Sequence, residues 1–502
     1  MSGSEPKPLA AVVPNSWAFL RDPMIAPAGF RDYDARWLYP EQINLPGVEA
    51  LGLGLATQMF EAGAGPDIVV GCDYREYSAA VKTALILGLV RGGATVRDIG
   101  PAVTPLAYFA RAHLGVGPVA MVTASHNPNG WTGVKMGLRA PLTHGPEEMV
   151  RLREIVLSGG GMERPGGRVV REHGVGAVWL DDLAARGPLK RRLRIVCATG
   201  NGAAGAFAPD LLARLGAEVI PLHATPDYAF PAYNPDPEAP EMLRDMGRAV
   251  REAGADLALG FDGDGDRCGV VDETGHAIFA DRIGVLLARD WAKAHPGARF
   301  LADVKSTGLF ASDPELLAAG AAVEFWKTGH SHMKARMVET GALAAFERSG
   351  HLFLDPPLGR GYDCGLSAAV EILRMLDRHE GMSLSALAAT LPRTWATPTL
   401  SPPCPDGEKR AVLARIVADL QAMAAAGGAL GGRRIERIVT VDGARAMLEG
   451  GDWALVRASS NTPNLVIVCE SMGSEARLRA ILADLDSLVR RQEEVGDYDR
   501  TF

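Results

Sequence analysis

The chain has 502 residues, of which 47% are hydrophobic and 22% charged, and its formal net charge is −8. A chain of this length predicts about three to four domains, and the ordinary globular composition argues against wholesale disorder. The acidic balance argues against nucleic acid or an anionic membrane surface as a partner, because both bind basic surfaces. An anionic substrate would therefore need positive charge concentrated at its site.

The cysteines indicate a reducing compartment, and the short apolar runs argue against a membrane span. Six cysteines lie far apart and form no C-x-x-C pair, so we expect free thiols and neither disulfides nor a zinc site. No apolar run approaches the roughly 18 to 20 residues needed to span a bilayer. The first residues, "MSGSEPKPLAAVVPNSW", lack the layout of a signal peptide. The sequence therefore predicts a cytoplasmic protein.

Three regions of the chain repeat one order of elements: a β-branched-rich strand, an amphipathic helix and a second strand that opens with Gly-Ala. The first strands are "DIVVGCD" (67–73), "LRIVCATG" (193–200) and "ARFLADVK" (298–305). The second strands are "GATVRDIG" (93–100), "GAEVIPLH" (216–223) and "GAAVEFWKTG" (320–329). This order predicts βαβ units in parallel sheets, which place ligand-binding loops at the carboxyl ends of their strands.

Each region continues into a third apolar run that ends in a polar loop: "AMVTASHNP", "LALGFDGDGDR" and "ALAAFERSGH". Beyond residue 392, the Pro-rich "LPRTWATPTLSPPCPDG" predicts a linker into a smaller α+β domain. We predict four domains, at residues 1–172, 173–275, 276–392 and 393–502. The predicted fold is α/β, with three similar βαβ-containing mixed-sheet domains and a smaller C-terminal α+β domain around a central cleft.

The loop "TASHNP" admits three interpretations. A hydrolase nucleophile would need Ser125 on a sharp G-x-S-x-G turn, and no glycine flanks it here. His126, its neighbour in an extended loop, is expected to point away from Ser125. Ser125 could instead carry a phosphoryl group whose charge is neutralised by a metal and by Lys135, since phosphoryl transfer needs mainly positioning and charge stabilisation. The third interpretation is a polar turn that simply ends the strand.

The loop "DGDGDR" places Asp262, Asp264 and Asp266 at alternate positions after a strand. Carboxylates so close together repel unless a cation lies between them, which favours a hard divalent metal, Mg²⁺ or Ca²⁺. An EF-hand is disfavoured because Arg267 stands where that loop requires glycine and because the flanks resemble strands. We expect Mg²⁺, with a solvated acidic turn as the alternative.

Two further loops suit a phosphosugar. In "ERSGH", Glu347, Ser349 and His351 can bond sugar hydroxyls, and the histidine can exchange protons near neutral pH. In "VRASSNTPN", one arginine beside several hydroxyls is typical of a phosphate cradle. Ordinary surface turns are the alternative for both loops. Together the four loops predict an enzyme that moves phosphate within one phosphosugar.

At this point the sequence resembles the α-D-phosphohexomutases, in particular the phosphomannomutase/phosphoglucomutase branch. The resemblance runs in order through "FRDYDAR", "TASHNP", "DGDGDR", "WKTGHSHMK" with "ERSGH", and "RASSNTP". It implies that a phosphorylated Ser125 exchanges phosphate with hexose 1- and 6-phosphates of mannose or glucose, through a hexose 1,6-bisphosphate that reorients in the cleft. One Mg²⁺ per chain and the bisphosphate activator are implied. We expect a monomer or dimer without nucleic-acid or membrane partners.

The resemblance also implies a role for each matching residue. The implied catalytic residues are Ser125, Lys135, Arg36, Arg267 and His351. The implied metal ligands are Ser125, Asp262, Asp264 and Asp266. The implied substrate-binding residues are Lys305, His330, Glu347, Ser349, Arg457, Ser459, Ser460, Asn461 and Thr462. These cations would supply the local positive charge that an acidic protein needs for an anionic substrate.

The sequence departs from the family pattern in a few places. The usual motif is Gly-Glu-Met-Ser-Gly-His; here Phe346 replaces its glycine and Arg348 its methionine. The added arginine could shift sugar preference or supply another phosphate contact. Trp37 follows "DAR" in place of a glycine, and Val468 stands where an arginine is common. The alternatives are phosphoglucosamine mutase, whose usual phosphate loop "RASSNTP" fits less well, a serine hydrolase, and an inactive sugar-phosphate binder.

Overall fold

The computed structural model describes residues 16–460 and 462–498. The chain divides into two compact units. The first runs to Ala280 and includes Ser349–Ser385; the second comprises Asp281–Arg348 and the chain from Ala386 onward.

A six-stranded sheet opens the first unit. Its strands are β1 (Ala35–Leu38), β2 (Asp67–Cys72), β3 (Thr95–Pro101), β4 (Val119–Val122), β5 (Trp131–Gly137) and β6 (Arg168–Arg171). The accompanying helices are α1 (Trp17–Arg21), α2 (Leu45–Glu61), α3 (Ser78–Arg91), α4 (Thr104–His113) and α5 (Pro146–Ser158). The strand order is β1-β5-β4-β2-β3-β6. Because β2 pairs in parallel with β3 and β4, the predicted βαβ unit is confirmed.

Local sequence explains how these elements begin and end. Asn44 caps α2, accepting a hydrogen bond from the Gly47 amide at 2.8 Å through its side-chain oxygen. All four residues of β4 are buried, as expected for a strand covered on both faces. The chain leaves the sheet directly after β4, which places Thr123 and Ser125 at its carboxyl end.

A five-stranded sheet follows in the first unit. Its strands are β7 (Arg194–Ala198), β8 (Glu218–Leu222), β9 (Leu257–Phe261), β10 (Cys268–Asp272) and β11 (Ala277–Ile278), and its helices are α6 (Val175–Ala184), α7 (Ala208–Arg214) and α8 (Pro240–Ala253). The order is β11-β10-β9-β7-β8, with β7 parallel to β8 and β9. The antiparallel β9 and β10 are joined by the "DGDGDR" loop.

Residues 349–385 complete the first unit. They contain the antiparallel strands β15 (Leu352–Leu354) and β16 (Tyr362–Asp363) and the helix α13 (Gly365–Arg378). A close backbone approach at Gly365 explains the glycine: a Cβ there would lie 2.4 Å from the Arg267 carbonyl oxygen.

The second unit begins with the third predicted βαβ region. Its strands are β12 (Arg299–Asp303), β13 (Ala322–Trp326) and β14 (Ala344–Phe346), and its helices are α9 (Ala280–Ala294), α10 (Leu309–Ser312), α11 (Pro314–Ala318) and α12 (His330–Thr340). β12 pairs in parallel with both β13 and β14, as predicted. The loop that carries Lys305 follows β12.

The C-terminal part of the second unit is an antiparallel sheet with helices. After the short helix α14 (Leu384–Ala388), its elements are β17 (Trp395–Ala396), α15 (Lys409–Ala425), β18 (Ala429–Leu430), β19 (Arg433–Val439), β20 (Ala444–Leu448), β21 (Trp453–Ala458), β22 (Leu465–Ser471) and α16 (Glu475–Val489). The strand order is β17-β22-β21-β20-β19-β18. All neighbours are antiparallel, which confirms the predicted α+β character.

All six cysteines are buried free thiols, namely Cys72, Cys197, Cys268, Cys364, Cys404 and Cys469. Burial raises the pKa of the Cys72 and Cys197 thiols to about 12. Among the described residues, no helix is long and apolar enough to cross a bilayer.

Candidate active site

The Ser125 loop holds its serine in a left-handed backbone conformation. Ser125 has φ +52 and is 2% exposed, and its amide donates to Thr123 Oγ1 at 2.9 Å. A non-glycine residue pays about 1–2 kcal/mol for this conformation, so the surrounding structure has to hold it.

Arg75 stabilises this loop conformation through several hydrogen bonds. Its guanidinium donates to the carbonyl oxygens of Ser125 at 2.9 Å, Asn127 at 2.6 Å and Pro128 at 2.9 Å. Asp73 fixes the guanidinium, accepting from Arg75 Nε at 3.2 Å through Oδ2. Both side chains are almost fully buried, so these charge-assisted bonds are little weakened by water.

Sequence reasoning missed Asp73 and Arg75. They follow β2 as "DYR", at the carboxyl end of the strand beside β4. A charged pair at that end of a parallel strand was the available signal, because neighbouring parallel strands deliver their loops to the same edge of a sheet.

The orientation predicted for His126 is wrong. Its Nδ1 lies 3.4 Å from Ser125 Oγ, because the left-handed turn at Ser125 brings consecutive side chains to one side. Burial lowers the pKa of His126 well below its usual value, and the nearby cations Arg267 and Arg36 lower it further. The imidazole next to the serine is therefore neutral at neutral pH.

Asp262, Asp264 and Asp266 converge at the end of β9. All three are fully buried, and one oxygen from each lies within 4.8 Å of the others. Ser125 Oγ lies 3.2 Å from Asp262 Oδ2, so the hydroxyl belongs to the same oxygen cluster. Asp264 Oδ1 is buried without a hydrogen-bond partner among the described residues. Hard oxygen donors with an unsatisfied carboxylate oxygen fit a divalent cation such as Mg²⁺.

Glycine lets the two loops come together. A Cβ added to Gly263 would lie 2.5 Å from the Ser125 carbonyl oxygen, closer than side-chain carbon atoms come to backbone oxygen. Thr104, at the start of α4, donates its hydroxyl to Asp264 Oδ2 at 2.5 Å and its amide to the Asp264 carbonyl oxygen at 2.9 Å. Thr104 is a further residue that sequence reasoning missed.

Lys135 is the cation that faces these carboxylates directly. Its ammonium lies 2.9 Å from Asp264 Oδ2 and also bonds Asp266 Oδ2. Burial and the neighbouring carboxylates raise the pKa of Asp262 well above its usual value. Burial also acts to raise the pKa of Asp266, but Lys135 and then His351 hold it well below the usual range. The cluster is thus partly neutralised by cations of the chain itself.

The other implied catalytic residues lie in the first unit with the carboxylates. Arg267 Nε is 3.9 Å from Asp262 Oδ2, and His351 Nε2 is 3.2 Å from Asp266 Oδ1. Arg36, on β1, is fixed by Asp34, which accepts from its Nη2 at 2.8 Å. Burial acts to lower the pKa of Arg36, but Asp34, and then Asp264 and Asp266, raise it above its usual value, which places Arg36 in the electrostatic field of the same cluster.

The predicted sugar-recognition residues occur in both units of the chain. Ser349 belongs to the first unit, where its hydroxyl lies 3.1 Å from His351 Nδ1. Glu347, in the second unit, is 3% exposed and accepts from the Gly329 amide at 2.7 Å. That amide directly precedes His330, the first residue of α12. Lys305 lies in the loop after β12, with its ammonium 3.8 Å from Asp303 Oδ2.

The predicted C-terminal phosphate loop begins at the end of β21. Arg457 is oriented by Asp442, which accepts from its Nε at 2.7 Å, and its Nη2 lies 3.3 Å from Ser460 Oγ. Thr462 donates its hydroxyl to Ser459 Oγ at 2.8 Å. Lys409, missed at sequence level, donates to the carbonyl oxygens of Ser459 and Thr462 at 2.7 and 2.9 Å. The structure therefore brings an arginine and hydroxyls together here; the predicted Asn461 lies outside the described residues.

Four family models match the chain in sequence order. They are phosphoglucomutase/phosphomannomutase alpha/beta/alpha domain I at residues 27–160, domain II at 177–275, domain III at 279–395, and the C-terminal domain at 403–488. The chain belongs to the phosphoglucomutase/phosphomannomutase family. The predicted resemblance and fold class are confirmed.

Individual members of the family show the same relationship. The phosphomannomutase/phosphoglucomutase of Pseudomonas putida is 35% identical over 452 residues, covering 90% of this chain and 93% of that protein. A crystal structure of a phosphoglucomutase/phosphomannomutase family protein from Burkholderia thailandensis superposes with a TM-score of 0.84 at 31% identity, covering 95% of this chain and all of that one. A Methanothermobacter thermautotrophicus protein named "probable phosphoglucosamine mutase" is more distant, at 29% identity over 88% of this chain and 93% of that protein.

Proposed function

We propose that the protein is a phosphohexomutase, an intramolecular phosphotransferase that interconverts hexose 6-phosphate and hexose 1-phosphate of mannose, glucose or both. The observation that carries the proposal is the placement of Ser125 Oγ, 3.2 Å from Asp262 in a buried carboxylate cluster, in a member of this family. A hydrolase is disfavoured because the elbow glycines are absent around Ser125.

The phosphorylated Ser125 is the proposed carrier. The bond between phosphorus and Ser125 Oγ breaks, a bond to a free hydroxyl of the hexose monophosphate forms, and the hydroxyl proton passes to Oγ. The product is a hexose 1,6-bisphosphate, which reorients and returns its other phosphate to Ser125 by the reverse step. Lys135, Arg267 and Arg36 stabilise the charge on the phosphoryl oxygens, since such transfer depends on positioning and electrostatics.

Asp262, Asp264, Asp266 and the oxygen of Ser125 would hold one Mg²⁺. When bound, that ion supplies charge neutralisation at the phosphoryl group. The chain itself fixes the geometry of Asp264. The Thr104 hydroxyl and the Lys135 ammonium lie 2.5 and 2.9 Å from Asp264 Oδ2. Hexose 1,6-bisphosphate is the proposed activator, because it would rephosphorylate an enzyme that has lost its phosphate.

The proposed contacts with the ring hydroxyls of the sugar are Glu347 and Ser349, assisted by Lys305 and His330. The phosphate loop holds the non-reacting phosphate through Arg457, Ser459, Ser460, Asn461 and Thr462. The proposed mannose or glucose preference is supported by the more similar relatives, which are phosphomannomutase/phosphoglucomutases. Glucosamine is the runner-up substrate, supported only by the more distant relative.

A coupled assay tests this proposal. Mannose, glucose and glucosamine 1-phosphates are supplied separately with a trace of the matching 1,6-bisphosphate, and 6-phosphate formation is followed. We expect turnover of mannose or glucose 1-phosphate and one added phosphate in the intact mass. Ser125→Ala should lose both, whereas Ser158→Ala, on the exposed end of α5, should keep both. Full activity of Ser125→Ala would refute the mechanism.

The proposal extends to the partners, the location and the domain boundaries of the protein. The net charge of −8 supports the absence of a nucleic-acid partner, and the buried thiols support a cytoplasmic location. We propose a monomer or dimer, and domain boundaries after residues 172, 275 and 392.

A further inference from the structure

Arg348 lies in the sugar-recognition loop, yet its side chain is directed into the second unit. It is 4% exposed, although it stands beside Glu347 in sequence. Its Nη2 donates to the carbonyl oxygen of Thr397 at 2.8 Å, and its Nη1 lies 3.4 Å from the carbonyl oxygen of Lys305. The Arg348 amide also donates to Asp303 Oδ1 at 3.2 Å. The guanidinium thus links the sugar-recognition loop to the segment that leads into the C-terminal sheet.

Thr397 continues this connection into that sheet. It is fully buried; its amide donates to the Cys469 carbonyl oxygen at 2.9 Å, and its hydroxyl accepts from the Cys469 amide at 3.1 Å. Cys469 belongs to β22, which pairs along its length with β21. β21 ends in Arg457 and Ala458, which belong to the phosphate loop. Hydrogen bonds therefore run from the sugar-recognition loop to the phosphate loop.

A second buried connection runs beside the first. Arg445, on β20, donates to the carbonyl oxygens of Val304 and Ser306 at 2.8 and 2.7 Å, on either side of Lys305. Its guanidinium lies 3.8 Å from the ring centroids of both Phe325 and Trp453. The loop that carries Lys305 is thus tied to the same sheet without Arg348. Loss of Arg348 should therefore loosen the sugar-recognition loop and leave the Lys305 loop attached.

We propose that Arg348 is a positioning residue that sets the span between the sugar contact at Glu347 and the phosphate contact at Arg457. The inference rests on the proposed function, because it assumes a ligand that carries both a sugar ring and a phosphate. Two contacts held at a fixed span bind such a ligand tightly, since the second contact forms at a high effective concentration once the first has formed. A ligand with phosphate alone gains nothing from that span.

The test compares ligands that need the span with one that does not. Binding of glucose 1-phosphate, mannose 1-phosphate and inorganic phosphate is measured by calorimetry in EDTA, in a Ser125→Ala background that prevents turnover. Arg348→Met removes the guanidinium and keeps an apolar chain about as long as the arginine stem. Losing a buried charge-assisted bond should weaken binding of the hexose phosphate by about tenfold. Binding of inorganic phosphate should change by less than about twofold, because the phosphate loop itself is intact.

Arg282→Met is the matched control. Arg282 also donates to the same linker, at 3.2 Å to the Pro392 carbonyl oxygen, but it lies on α9 outside the sugar-recognition loop. Its removal should leave both affinities unchanged. If Arg348→Met does not fold, Arg348→Lys is titrated in its place, and the single ammonium should weaken hexose phosphate binding by about threefold.

Two results would overturn the inference. One is unchanged hexose phosphate affinity in the folded Arg348 variant. The other is an equal loss for inorganic phosphate, which would make Arg348 a support of the phosphate loop alone. Failure of the proposed function would give a different result. The protein with native Arg348 would then bind inorganic phosphate but neither hexose phosphate, which would also overturn the inference.

Discussion

Replacing Arg75 with lysine tests whether the left-handed conformation of Ser125 is imposed by one guanidinium. Lysine keeps the positive charge beside Asp73, so the buried carboxylate retains a counterion. Its single nitrogen cannot reach the three carbonyl oxygens of Ser125, Asn127 and Pro128 that Arg75 bonds at 2.6–2.9 Å. We expect the loop to open more often and the serine to lose its place beside Asp262.

The magnitude follows from the bonds that are lost. Two hydrogen bonds from a charged donor contribute about 3–5 kcal/mol together. Relaxation of Ser125 from φ +52 returns about 1–2 kcal/mol, which leaves a local loss of about 1–4 kcal/mol, or about 2.5 kcal/mol at mid-range. The mid-range value corresponds to a roughly 70-fold larger population of the open loop. A serine displaced by about 1 Å should reduce kcat by roughly 100-fold.

Amide hydrogen exchange of peptides that cover residues 119–135 measures the loop opening, and the coupled assay measures kcat. Arg97→Lys is the control, since Arg97 pairs with Asp67 and Glu172 on a partly exposed part of the same sheet. Lysine keeps the charge of these pairs, and pairs near the surface contribute about 1 kcal/mol or less, so the control should behave like the native protein. Native exchange in this segment together with native kcat in Arg75→Lys would refute the reasoning.

Three further substitutions test the buried charges. Asp264→Asn should lower the Mg²⁺-dependent rate at least about tenfold; an unchanged metal titration would remove Asp264 from the ligands. Lys135→Met breaks a buried ion pair at a cost of about 3–5 kcal/mol, so Mg²⁺ should raise its melting temperature more than that of the native protein, and equal shifts would contradict the charge argument. Burial lowers the pKa of His144 from 6.5 to about 4, so only the unfolded state takes up a proton between these values. Acidification from pH 6.5 to 4 should therefore cost the native protein about 3 kcal/mol of unfolding free energy, and less in His144→Gln. Identical pH profiles by denaturant titration would exclude His144 as the source.

Periodicity and apolar runs predicted the strands around the site. The runs at 67–73 and 193–200 are β2 and β7, because strands covered on both faces keep continuous apolar sequence. The strand pair β15 and β16 was not predicted, since strands of three and two residues give too short a pattern. The carboxylate loop was predictable because its alternating aspartates have few other uses.

The rest of the site could not be predicted from the sequence, because it depends on backbone geometry and on backbone hydrogen-bond acceptors. The direction of His126 depends on the φ of Ser125, which no residue pattern around that serine indicates. Arg348 bonds carbonyl oxygens through its guanidinium, and every residue carries a carbonyl oxygen, so no sequence partner marks it. Asp262 and Asp264 needed only their own spacing to be found.

The six buried cysteines make the chain a convenient host for spectroscopic labels. With every native thiol buried, a thiol-reactive dye or spin label should react slowly with the native fold. A single cysteine introduced on the exposed face of α5 or α16 would then be the preferred attachment point, with no native cysteine removed. Paired probes on these two helices, which belong to different units, would report distances between the units during turnover.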